Sequence, residues 1–135
     1  MRFLLVDRIV ELESGKRATG IKNVTLSEDF LAHHFPHSPI MPGALITEAL
    51  VQLASWIVQE NSAFQRLGLA VDFEKLKFHR MVRPGDQLHL ESQLVAVTHE
   101  RVDVKARAHC QDQLVAAARF SLACTDMEPL QSVDE

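Results

Sequence analysis

Between Ala44 and Val58 nearly every position is apolar or small, with Leu45, Ile46, Ala49, Leu50, Val51, Leu53, Ala54, Trp56, Ile57 and Val58 dominating the run. The run predicts a helix, and a helix apolar on nearly every side should be buried on nearly every side. Past residue 100 the period changes to two. Val102, Val104, Ala106, Ala108 and Cys110 alternate with Asp103, Lys105, Arg107 and His109, as in a strand with one wet face. After the polar link Gln111-Asp112-Gln113, the residues Leu114, Ala116, Ala118, Phe120 and Leu122 continue the alternation. Further strands are predicted from Leu69 to Phe78 and from Gln87 to Thr98, separated by the turn signal Pro84-Gly85-Asp86, with weaker ones from Arg8 to Leu12 and from Arg17 to Val24.

Short strands, one central helix and a long run of strands predict an α+β chain in which an antiparallel sheet covers a single helix. At 135 residues and 47% hydrophobic content the chain builds one core, so residues 1–125 are expected to form one domain and residues 126–135 a polar tail. A sheet of this kind has an exposed edge, which predicts a dimer with the sheets continued across the interface. With 14 basic and 18 acidic residues and no basic run, the chain lacks the signature of sequence-independent nucleic-acid binding. The apolar run Phe3-Leu4-Leu5-Val6 stops at Asp7 and Arg8, too short for a signal peptide or a membrane span, and the expected location is the cytoplasm. Cys110 and Cys124 sit among small or apolar neighbours and read as buried thiols rather than a disulfide.

The candidate chemistry lies just before the helix and within it. From His34 to Glu48 the chain delivers one histidine and one carboxylate into an apolar setting, and Pro36, Pro39, Pro42 and Gly43 make a stiff, non-helical path between them. This reads as an acid/base pair. His33, His34 and His37 raise the alternative of a metal site, but no further Cys or carboxylate joins them at ligand spacing, so no metal is expected. Lys75, Lys77, Arg80 and Arg83 form a basic group before the Pro84-Gly85-Asp86 turn, either a solvated face or a place to hold an acidic partner.

The pattern His34-Phe35-Pro-x-x-Pro-x-x-Pro-Gly43-x-Leu45-x-x-Glu48-Ala49-x-x-Gln52 resembles the hotdog-fold dehydratases of type II fatty acid synthesis. It is most similar to the FabZ-type (3R)-hydroxyacyl-(acyl-carrier-protein) dehydratases. Phe3 to Ile9, Lys22-Asn23-Val24-Thr25 and Phe78-His79-Arg80-x-Val82-x-Pro84-Gly85-Asp86-Gln87-Leu88 support the resemblance, which covers roughly residues 1 to 124. It implies a hotdog fold, active sites at a dimer interface, trimers of dimers as a common assembly, no cofactor, and an acyl carrier protein as partner. His34 takes the place of the catalytic histidine, and Glu48 that of the catalytic carboxylate contributed by the other subunit. Gly43 matches the glycine whose N–H polarises the thioester carbonyl, and Gln52 a glutamine beside the carboxylate. Lys75, Lys77, Arg80 and Arg83 become candidates for carrier docking. Glu48 favours the group without isomerase activity over a sister group that usually has Asp there, although Met41-Pro42-Gly43 looks more like the sister group. His33 stands where the family commonly has Gly, and the chain has no Tyr to gate a tunnel.

Loss of water from a 3-hydroxyacyl thioester needs a base for the C2 proton and an acid for the C3 hydroxyl. Neutral His34 suits the first role and protonated Glu48 the second, with the apolar helix expected to raise the Glu48 pKa. The rival readings are a hotdog acyl thioesterase, with the carboxylate activating water against the carbonyl, and a non-catalytic carrier-binding or heterodimer subunit.

Overall fold

The computed structural model describes residues 5–25, 40–63 and 65–126. Its elements are β1 (Arg8–Glu13), β2 (Arg17–Asn23), α1 (Gly43–Asn61), β3 (Arg66–Phe78), β4 (Gln87–Val97), β5 (Arg101–Cys110) and β6 (Gln113–Asp126). The strands form one antiparallel sheet in the order β1-β2-β4-β5-β6-β3, curled around α1. The expected α+β architecture is present, and each predicted strand is found, with β3 and β6 longer than their alternation alone indicated. The rest of the expected tail, residues 127–135, lies outside the described residues.

Helix α1 turns Ile46, Ala49, Leu50, Leu53, Ala54, Ile57 and Val58 onto the sheet, a stripe at helical spacing that is buried throughout. Val102, Val104, Ala106, Ala108 and Cys110 of β5 point inward to meet it, and Phe120 and Leu122 of β6 complete the core. Ser92 on β4 is fully buried, and its hydroxyl donates to Leu50 O at 2.9 Å, fixing the helix against the sheet with a satisfied polar contact. The turns are local in origin. Gly15 (φ 71°) closes β1 to β2, Gly85 (φ 96°) closes the Pro84-Gly85-Asp86 turn, and Gln111 and Asp112 (φ 51° and 64°) make a two-residue hairpin between β5 and β6. Both cysteines are free thiols, Cys110 buried and Cys124 partly so.

The outer face of the sheet carries the charges that the period-two pattern predicts. Glu91 accepts hydrogen bonds from Arg107 at 2.7 Å and Arg17 at 3.1 Å, tying β5 and β2 to β4. The Arg107 guanidinium, more than that of Arg17, holds the Glu91 carboxyl below the usual carboxylate range. A carboxyl depressed only in the folded state adds stability above its unfolded pKa, about 4.3 for Glu, and loses it as pH falls through the lower folded value. Arg107→Met should therefore lower the melting temperature at pH 7 and shrink the further drop between pH 5 and pH 3. Thermal unfolding across that range checks it, and an unchanged acid limb would remove the assignment.

Candidate active site

The helix is buried on one side only, which corrects the expectation drawn from its composition. Ala44, Glu48 and Trp56 are exposed, and Gln52, Ser55 and Gln59 are half-buried on the same face. Trp56, expected in the core, is 37% exposed. The buried flank of α1 packs on the sheet, and beside its open face a cavity of about 570 Å³ lies between Glu48, Gln52, Trp56 and Gln59 on the helix and Leu67 to Ala70 on β3. Glu48 thus reaches open space in the single chain instead of the apolar enclosure foreseen for it.

Gln52 lies one helical turn beyond Glu48, as its spacing predicts, and its Nε2 donates to Glu48 Oε2 at 3.2 Å. The orientation of that amide is fixed from the other end, because Leu5 N–H donates to Gln52 Oε1 at 2.8 Å. Only the carbonyl end can accept a backbone N–H, so the NH₂ end must face Glu48. No pattern in the sequence points to Leu5, which lies 47 positions from Gln52.

At the head of the helix, Pro42 is the N-cap and supplies no side-chain cap. Leu45 and Ile46 N–H turn back to Pro42 O, while the N–H groups of Gly43 and Ala44 have no acceptor among the described residues. A Cβ on Gly43 would meet the Phe78 ring at 2.8 to 3.0 Å, so the glycine permits β3 to close over the helix terminus. Phe78 has no role foreseen from the sequence and acquires one through this contact. Met41 N–H donates to Val82 O at 2.7 Å, holding the segment after β3 beside the same terminus.

The four basic residues are divided between two places. Arg80 and Arg83 lie on the segment that passes the helix terminus, with Arg80 3.6 Å from Asp86 and Arg83 N–H donating to Asp86. Lys75 and Lys77 join Lys105, Arg107 and Arg119 around a shallow groove in the sheet. There Lys75, Arg119 and Lys105 stand directly opposite one another across β3, β6 and β5. His34, with His33 and His37, lies outside the described residues. Among the described residues no group of three or more His, Cys, Asp and Glu is placed to hold a metal ion, and no helix is long and apolar enough to cross a membrane.

A sheet curled around one helix, with a carboxylate on the helix's open face above a cavity, is the hotdog architecture. Solved structures of similar fold include the dehydratase heterocomplex ApeI:P from Xenorhabdus doucetiae. It matches with a TM-score of 0.72 at 14% identity, covering 94% of this chain and 85% of that one. The PaaI protein of E. coli matches with a TM-score of 0.70 at 17% identity, covering 93% and 81%. Residues 1–119 match the FabA-like domain family, and the chain belongs to it. Its relatives include the 3-hydroxyacyl-(acyl-carrier-protein) dehydratases FabZ of Thermoanaerobacter sp. (strain X514), 46% identical over 92% of this chain and 88% of the relative. The same enzyme of Caldanaerobacter subterraneus subsp. tengcongensis is 50% identical over 87% and 84%. At this similarity over nearly the whole length, the chain is an enzyme, a dehydratase.

Proposed function

We propose that this chain converts (3R)-3-hydroxyacyl thioesters on an acyl carrier protein into trans-2-enoyl thioesters for fatty acid synthesis. In this reading residues 1–125 act as one cytoplasmic domain without a cofactor, with His34 as base and Glu48 as acid. The observation that carries it is the placement of Glu48 on the open face of α1, above the cavity and oriented by Gln52. Neutral His34 removes the C2 proton, the C3–O bond breaks as Glu48 protonates the departing hydroxyl, and the C2=C3 double bond and one water result. A proton passing from His34 back to Glu48 resets the pair. The free N–H groups at the head of α1 stabilise charge developing on the thioester oxygen.

A second copy completes the site. Strand β3 is one of the two edges of the sheet, and Leu69, Val71, Phe73, Leu76 and Phe78 along it are all more than 40% exposed. Pairing two such edges supports a homodimer that encloses Glu48, brings in His34 of the partner subunit, and assembles further into a trimer of dimers.

With purified protein and a 3-hydroxyacyl carrier substrate, enoyl absorbance should rise without release of free thiol; thiol release would establish hydrolysis instead. In the same assay, Arg80→Glu with Arg83→Glu should raise KM for the carrier-bound substrate roughly tenfold or more and leave a small thioester analogue unaffected. Lys75→Glu with Lys77→Glu, farther from the helix terminus along β3, should act in the same direction but less. Equal effects on both substrates would dismiss carrier docking at these residues.

A further inference from the structure

The described part of the chain begins with a short segment, residues 5–7, wedged between the sheet and α1. Leu5 and Val6 are buried, and Val6 packs so closely on β2 that a Cβ at Gly20 would stand 3.1 Å from its Cγ1. Asp7 anchors the segment to β2 in three ways. Its N–H donates to Ile21 O at 2.8 Å, its Oδ2 accepts Asn23 N–H at 2.6 Å, and its Oδ1 lies 3.6 Å from Lys22 Nζ. The Lys22 side chain is only 5% exposed, an unusual place for a lysine, since a buried ammonium is retained only where partners compensate its desolvation. Two residues before Asp7, the Leu5 N–H holds Gln52 Oε1, and Gln52 Nε2 reaches Glu48.

The backbone of residues 5–7 thus joins the Lys22–Asp7 ion pair at one end to the Leu5, Gln52 and Glu48 contacts at the other. We propose that Lys22 and Asp7 are positioning residues for Glu48. Their ion pair fixes the height of residues 5–7, the Leu5 N–H fixes the Gln52 amide, and the amide fixes the carboxyl that hands its proton to the leaving hydroxyl. The inference rests on the assignment of Glu48 as the acid. Without the anchor, Leu5 N–H moves off Gln52, and the amide loses the contact that turns its NH₂ end towards Glu48. A packing role alone would not single out the reacting group.

The test uses the full chain and three variants. Lys22→Met keeps the buried stem and removes the charge, Asp7→Asn keeps an acceptor for Asn23 and removes the charge, and Gln52→Leu removes the link to Glu48. Lys22→Met and Asp7→Asn should each lower kcat roughly tenfold with KM for a small 3-hydroxyacyl thioester unchanged. Combined with Gln52→Leu, neither should lower kcat further, because the effect travels through that amide. Independently of activity, the two side-chain N–H resonances of Gln52 should exchange faster with solvent in both anchor variants than in the parent chain. Losses that add to that of Gln52→Leu, or an unaltered Gln52 amide signal in the folded Asp7→Asn variant, would overturn the proposal. If Glu48→Gln itself retains activity while the Gln52 signal responds as expected, the acid assignment fails and the positional coupling stands.

Discussion

Glu48→Gln should lower kcat by roughly a hundredfold or more, and His34→Ala by a similar factor, while both variants keep the fold and oligomeric state of the parent. The glutamine amide preserves the shape of the side chain and still meets Gln52, so the loss isolates the transferable proton. Glu48 is exposed on the open face of the helix, outside the buried stripe, so the substitution leaves the core packing intact. On the proposed assignment the two groups serve one transition state, so the double variant should be little worse than either single one. Enoyl-thioester absorbance under saturating substrate measures all three. Near-parental turnover in Glu48→Gln would remove the carboxyl from the chemistry and shift attention to water delivered by another group.

The second large effect is on stability. Phe120 on β6 is 1% exposed, faces Val104 on β5 and Phe73 on β3 in the ladder, and lies 5.6 Å from the Phe73 ring in a tilted arrangement. Phe120→Ala should cost about 3–5 kcal/mol, because the aromatic volume is lost at the junction of three strands with little freedom to collapse. Against a total of about 5–15 kcal/mol this is a substantial share of the fold's margin. Urea unfolding with unchanged slope and a much lower midpoint is the expected result. A change under about 1 kcal/mol would show that the sheet closes over the gap, contrary to the packing described.

The sheet was legible because its signal is local. In β5 the alternation of apolar and charged residues names the inward face position by position, and Val102, Val104, Ala106, Ala108 and Cys110 are buried as that alternation requires. The site was legible where a motif fixes spacing along one helix, as from Glu48 to Gln52. It was not legible where two distant segments meet. The Leu5 contact with Gln52, the Phe78 ring over Gly43, and the column Lys75, Arg119, Lys105 each depend on tertiary placement or strand register. The one-sided burial of α1 escaped for a different reason. Trp56 is as apolar as core residues, and nothing in a single sequence tells a surface covered by its own sheet from one that faces outward.

The outer side of β3 pairs with no strand among the described residues, which bears on the chain before any partner joins it. It offers unpaired backbone groups beside Leu69, Val71, Phe73, Leu76 and Phe78, a template that any extended segment can join. In the proposed dimer the mate's strand occupies this template, so pairing also withdraws it from adventitious strand addition. The strand that lines the candidate site is thus also an edge that a stray extended segment can lengthen.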